Sequence, residues 1–316
     1  MKITVKINLA KIIENLKKYD GKKVILMVKA DAYGHGLKEV AKATESLVEG
    51  FGVATVDEGV TLRKSGIKSK ILVAQWLQDE IEVATEYDLT LSVGDFVQLD
   101  LVKSVGRKAE IKVNTGMNRF GFDFGDTTEL SRKLEGFSPS GIYSHIFSLE
   151  AVKGQKERFE RVVSDLNLKG VGAHLFSSSY AHLGDTVRLG IGVYQGAMTV
   201  TSTVVAVRGL HGGDNVGYGN KMPKSGGVAW VFGGYADGIS REDPAPVLIG
   251  GKLREVVAVC MDTFAVYVGE DAVKVGDVVT LLGEDLDQNK LAKLTGTIPY
   301  VILTKWRGRT ERIYQC

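Results

Sequence analysis

Through the first two-thirds of the chain, short apolar runs alternate with longer stretches whose apolar positions recur at helical spacing. Eight runs read as strands: 24–28, 51–56, 71–75, 90–93, 110–113, 141–144, 172–175 and 186–194. Between most of them lie predicted helices at 37–47, 57–65, 79–86, 95–104, 128–134 and 155–166. Several of these open on an aspartate, which suits an N-cap because its carboxylate accepts the free N–H groups of a first turn. The link after the seventh run is too short for a long helix. Strand and helix in alternation imply βαβ units around a parallel sheet. Eight such units over roughly 200 residues point to an α/β fold of the closed (β/α)8 type, in preference to an open doubly wound sheet.

Beyond Tyr194 the texture changes. Runs at 202–207, 228–232, 253–259, 264–268 and 278–282 are separated by Gly, Asp and Asn turns, and helical periodicity is weak. This pattern predicts a barrel over 1–200 and a mainly β domain over 201–316. At the start, Lys2, Thr4 and Lys6 alternate with Ile3, Val5 and Ile7, which reads as a strand that pairs with the β domain.

Composition adds exclusions. With 316 residues, 44% hydrophobic and 25% charged, the chain has material for about two ordinary globular domains and needs no metal or disulfide staple. The formal charge of +2, from 40 basic and 38 acidic side chains, points to neither nucleic acid nor an anionic membrane as partner. Two cysteines, Cys260 and Cys316, with no CxxC pair, suit a reducing, cytoplasmic setting. The N-terminus lacks a signal peptide's apolar region, and no apolar run approaches the ~18–20 residues of a membrane span.

In a (β/α)8 barrel the chemistry gathers at the C-terminal ends of the strands. Lys29 and Tyr33 follow the first predicted strand, Arg119 follows the fifth, and His145 ends the sixth. Ser177, Ser178 and Ser179 follow the seventh; Arg188, Gly190 and Ile191 lie in the eighth or at its end. A lysine closing a buried strand has its pKa lowered by burial, which suits imine formation with a carbonyl. Taken alone, such a lysine snorkels to water more often than it reacts.

The segment Val28-Lys29-Ala30-Asp31-Ala32-Tyr33-Gly34-His35-Gly36 resembles the cofactor-lysine motif of the alanine racemase family. The resemblance continues along nearly the whole chain. Lys112-Val113-Asn114-Thr115-Gly116-Met117-Asn118-Arg119-Phe120-Gly121 is similar to the family's K-x-D-T-G-M-x-R-x-G segment. Asp185-Thr186-Val187-Arg188-Leu189-Gly190-Ile191-Gly192-Val193-Tyr194 is similar to D-x-V-R-x-G-I-x-x-Y-G, and Gly234-Tyr235-Ala236-Asp237-Gly238 with Arg241 to G-Y-A-D-G-x-x-R. Val259-Cys260-Met261-Asp262 resembles the end of G-x-x-x-M-D.

What the resemblance implies is specific. Lys29 carries pyridoxal 5'-phosphate as a Schiff base and acts as one base, with Tyr235 as the opposing base. Tyr33, Ser178, Gly190 and Ile191 bind the cofactor, and Arg188 faces its pyridine nitrogen. A relay through His145 to Arg188 assists Tyr235. Arg119 and the backbone of Met261 bind the substrate carboxylate, and Lys112 matches a position that many members carry carbamylated. The implied protein is a cytoplasmic homodimer with shared active sites, making D-alanine as a peptidoglycan precursor. Three departures stand out: Phe176-Ser177 replaces a small residue and an asparagine, Gly308 replaces a tyrosine that touches the phosphate or the base, and two loops are shorter. A racemase of serine or another small amino acid, a related barrel decarboxylase and a non-catalytic cofactor-binding protein are the alternatives.

Overall fold

The computed structural model describes residues 1–168 and 170–316. Two compact units emerge. One comprises Ile13–Ala32 and Leu37–Val193; the other comprises Met1–Ile12, Tyr33–Gly36 and Tyr194–Cys316.

The first unit is an α/β barrel. Strands Lys23–Met27, Gly50–Val53, Lys70–Val73, Thr90–Val93, Ala109–Asn114, Gly141–Tyr143 and Gly172–His174 pair in parallel in that order. Closure runs through one short stretch. Gly172–His174 pairs with Gly141–Tyr143, while Phe176–Ser177, just beyond, pairs with Thr186–Leu189, which returns to Lys23–Met27. Strands covered on both faces should read as unbroken apolar runs, and Gly50–Val53 and Thr90–Val93 are buried at every position.

Helix starts show where side chains outvote sequence pattern. The predicted helix 57–65 begins one residue earlier, at Val56–Lys64, because Thr55 and not Asp57 is its N-cap, accepting from Glu58 N–H at 3.3 Å. Asp95 does cap Phe96–Ser104, accepting from Gln98 N–H at 2.8 Å. The predicted helix 37–47 is α-helical only over Leu37–Thr44 and finishes as a 3-10 turn, Glu45–Leu47. The run 186–194 is a strand only to Leu189, since Val193 N–H turns back to the Gly190 carbonyl at 3.0 Å. After the seventh strand only a 3-10 segment, Ser178–Leu183, intervenes.

The second unit is mainly antiparallel β. Its backbone is one 13-residue strand, Met198–Leu210, longer than the expected 202–207. It pairs with Ile3–Asn8, Gly226–Phe232 and Val278–Leu282. The first strand also runs parallel to Thr310–Gln315. The run 253–259 is broken at Glu255 into Lys252–Arg254 and Val256–Val259. Two helices, Gln288–Leu294 and Pro299–Thr304, occur where periodicity is weak; Asp287 caps the first and Pro299 opens the second. No helix among the described residues is long and apolar enough to cross a membrane.

Asp95→Ala removes a cap whose loss costs about 1 kcal/mol. Urea unfolding followed by circular dichroism should show a lower midpoint with an unchanged slope; an unshifted midpoint would deny Asp95 that role.

Candidate active site

Lys29 opens a helical turn, Lys29–Gly34, that is left-handed. Ala30, Asp31, Ala32 and Tyr33 have φ of 53°, 55°, 52° and 55°. Each such residue costs about 1–2 kcal/mol, so the turn persists only if its surroundings dictate it. A carboxylate pins it. Glu58 accepts from Ala30 N–H and Ala54 N–H, both at 2.7 Å. Asp31 accepts from Leu37 N–H at 2.7 Å, and Ala32 N–H returns to the Val28 carbonyl at 2.7 Å. Lys29 is thus held half-buried at the C-terminal end of the first barrel strand.

Around it the charges are mostly positive. Burial lowers the Lys29 pKa first, Arg119 and Arg188 lower it further, and Glu58 partly restores it. Lys112, buried on the strand Ala109–Asn114, is brought down to about 8 by burial, then by Arg119, Arg188 and Lys29. Its ammonium stands 4.9 Å over the Phe120 ring and 5.8 Å over that of Tyr143. The His145 imidazole falls to about 3 through burial and the charges of Arg188, Arg119, Lys29 and Lys112, so it is neutral at any working pH. Arg119 itself is exposed, in a loop shaped by Asn114: its side-chain oxygen accepts from Gly116 and Asn118 N–H, and its amide donates to Asp123 at 2.7 Å.

Arg188 is buried, and its acceptors are neutral. Nη1 donates to the His174 carbonyl at 2.8 Å and to His174 Nδ1 at 2.5 Å; Nη2 donates to the carbonyls of Ser144 and Leu175. The imidazole that Arg188 touches is therefore that of His174, while His145 feels its charge. Tyr143 lies under both, stacked on His174 and 4.9 Å from the guanidinium carbon.

At the end of the eighth strand, Ser178 Oγ accepts from Gly190 N–H at 2.9 Å. A Cβ at Gly192 would sit 3.0 Å from both the Ser178 Cβ and the Tyr19 hydroxyl, so glycine lets the backbone pack closely against Ser178. With its oxygen accepting from Gly190, the Ser178 hydroxyl still has its own hydrogen to donate and suits an anionic group, and the depressed Lys29 amine suits a carbonyl.

Tyr33, Tyr235 and Met261 belong to the other compact unit. Tyr33 is buried and stacks on Tyr194 at 4.9 Å. Tyr235 begins a 3-10 turn, Tyr235–Asp237, laid on the loop of Met261: Tyr235 N–H donates to the Cys260 carbonyl at 3.1 Å. Buried Asp237 accepts from Arg309 Nε at 3.0 Å and Nη2 at 2.6 Å, and Arg309 reaches on to Asp262 at 2.7 Å. A Cβ at Gly308 would stand 2.6 Å from the Ala236 carbonyl oxygen, so a tyrosine there would displace the turn that carries Tyr235.

Glu58, Glu110, His174, Asp237 and Arg309 were not foreseen as supports. For Glu110 a signal existed: Glu110 and Lys112, two apart on a buried strand, must point to the same face, and two charges on one buried face mark a polar interior. Glu58 looks like an ordinary acidic residue of a first helical turn and gives no such sign.

Comparison with known proteins agrees with this layout. The family model for the alanine racemase N-terminal domain matches residues 4–197, and that for the alanine racemase C-terminal domain matches 197–314. An alanine racemase of Aquifex aeolicus is 32% identical, covering 98% of this chain and 98% of that one. Alanine racemase from E. faecalis superposes with a TM-score of 0.90 at 28% identity, covering 99% of this chain and 98% of that chain. The Bacillus anthracis alanine racemase solved with bound L-Ala-P has a TM-score of 0.89 at 26% identity, covering 100% of this chain and 95% of that chain. Matching both domain models, from the barrel to the last β-strand, this chain belongs to the alanine racemase family.

Proposed function

We propose that this chain is a pyridoxal-phosphate-dependent racemase interconverting L- and D-alanine as a homodimer, with Lys29 and Tyr235 as bases on opposite faces of Cα. The observation that carries the reading is the half-buried Lys29 amine at the C-terminal end of the first barrel strand, its pKa lowered by burial and by Arg119 and Arg188. Lys29 would hold the cofactor's carbonyl carbon, and Ser178, Gly190, Ile191 and Tyr33 its phosphate. Arg188 would face its ring nitrogen. When bound, pyridoxal phosphate supplies an electron sink that acidifies the Cα hydrogen.

The chain's own residues then decide the outcome. Arg119 pairs with the substrate carboxylate; Lys112, once carbamylated and so made anionic, would steady that arginine, and the backbone of Met261 of the partner subunit makes a second contact. Lys29, its charged form disfavoured, accepts and returns the Cα proton on one face. Tyr235 of the partner subunit does so on the other. A free phenol titrates at about pH 10; the relay that the family resemblance implies would run from Tyr235 to the neutral His145, which feels the charge of Arg188 while the guanidinium bonds His174. Arg188 is too weak an acid to hand a proton to the ring nitrogen, so charge would stay close to Cα and reprotonation there would be favoured over transamination or decarboxylation. In the cytoplasm, the D-alanine made would serve as a peptidoglycan precursor, the role the family resemblance implies.

Lys29→Ala is expected to abolish the cofactor's visible absorbance and reduce racemisation to background; a yellow, active variant would sink the assignment. Tyr235→Phe should slow racemisation equally in both directions, since the equilibrium constant is fixed. Exchange of the Cα hydrogen with D2O should nevertheless fall roughly 10²–10⁴-fold for only one enantiomer; equal loss for both would refute two unlike bases. Because each site would borrow a tyrosine from its partner, activity per chain should drop on dilution in step with dimer dissociation measured by sedimentation. Full activity in a demonstrated monomer excludes the shared site.

A further inference from the structure

Arg188 brings a full charge into the barrel, and the acceptors it meets carry none. The compensating anion stands one residue further away. Glu110, 1% exposed, accepts from His174 Nε2–H at 2.8 Å through Oε2, while its Oε1 is paired with the Lys70 ammonium. Gly141 makes this possible: a Cβ there would lie 2.8 Å from Glu110 Oε1, so any side chain would fill the carboxylate's place.

The donor inventory settles the proton's place. A guanidinium only donates, so His174 Nδ1 must present a lone pair to Arg188 Nη1. The single imidazole proton is then on Nε2, aimed at Glu110. A doubly protonated ring would turn Nδ1–H against Nη1–H and push the guanidinium away. The groups that face His174 are Glu110, Arg188 and Tyr143, with Lys70 behind the carboxylate. We propose that Glu110 is a positioning residue that locks His174 as its neutral Nε2–H tautomer and so fixes Arg188, with Lys70 occupying the carboxylate's other oxygen. Burial, outweighing the pull of Glu110, keeps His174 below its ordinary pKa; Glu110 is held well below the carboxylate range by His174 and Lys70 against its own burial. The catalytic consequence rests on the racemase reading; the tautomer does not.

Glu110→Gln separates these ideas, because an amide has one acceptor for two donors. If Lys70 takes that oxygen, the amide N–H2 faces Nε2 and drives the proton to Nδ1. In the full chain labelled with 15N-histidine, measured with and without pyridoxal phosphate, His174 should show the neutral Nε2–H signature. Its resonance is identified by its loss in His174→Gln. Glu110→Gln should lose that signature and cut alanine turnover roughly ten- to a hundredfold with KM little changed. Adding Lys70→Met should free the amide oxygen and restore both. A wild-type His174 that is protonated, or carries its proton on Nδ1, overturns the proposal even if Glu110→Gln fails to fold. So does an unaltered Glu110→Gln, or a double variant no better than the single one. A wild-type chain with the expected tautomer that does not racemise alanine refutes the racemase reading and leaves this one standing.

Discussion

A guanidinium buried inside a barrel has five N–H donors to satisfy and a charge to balance, and much of this interior is arranged around that demand. Arg188 meets two carbonyls from the turn of the seventh strand, one from the sixth, and an imidazole nitrogen. Tyr143 stacks on the imidazole, and its hydroxyl is tied to Ser92 Oγ at 2.6 Å. These partners come from the fourth, sixth and seventh strands and Arg188 from the eighth, so closure of the barrel and placement of Arg188 are one structural event. An open sheet would separate them.

Together with Arg119, that cation shapes the electrostatics at the mouth. Arg188 helps to lower Lys29, Lys112 and His145, after burial has acted on each. The consequence is an unusual inventory for a charged site: an amine with a lowered pKa, a second amine brought to about 8, and an imidazole that stays uncharged. Proton traffic at Cα needs groups of this kind, and an anionic ligand is drawn to the cations that remain.

Position matters as much as charge. Both proposed bases sit on short, constrained turns held by a carboxylate accepting backbone N–H groups: Glu58 for the left-handed turn of Lys29, and Asp237, braced by Arg309, for the 3-10 turn of Tyr235. A carboxylate makes a strong acceptor for backbone donors, and one that bridges separate segments resists rotation of the turn it holds. Gly234 and Gly308 admit the close approach of neighbouring backbone that this second clamp requires.

The eight barrel strands, the change to a β domain and the residues matching family motifs were legible in the chain, because periodicity and short motifs are local properties. Where strands stop was less so: Gly190 ends the eighth strand through a turn, and Glu255 divides what looks like one run. The two helices near the C-terminus escaped because each is a single short element with little periodicity to detect. What only the tertiary structure decided is the support behind the motifs. Glu58 bonds a turn 28 residues away, Glu110 and His174 are 64 apart, and Asp237 and Arg309 72 apart. A hydrogen bond depends on distance in space, and until the chain has folded nothing in its order says which distant acid will meet which donor.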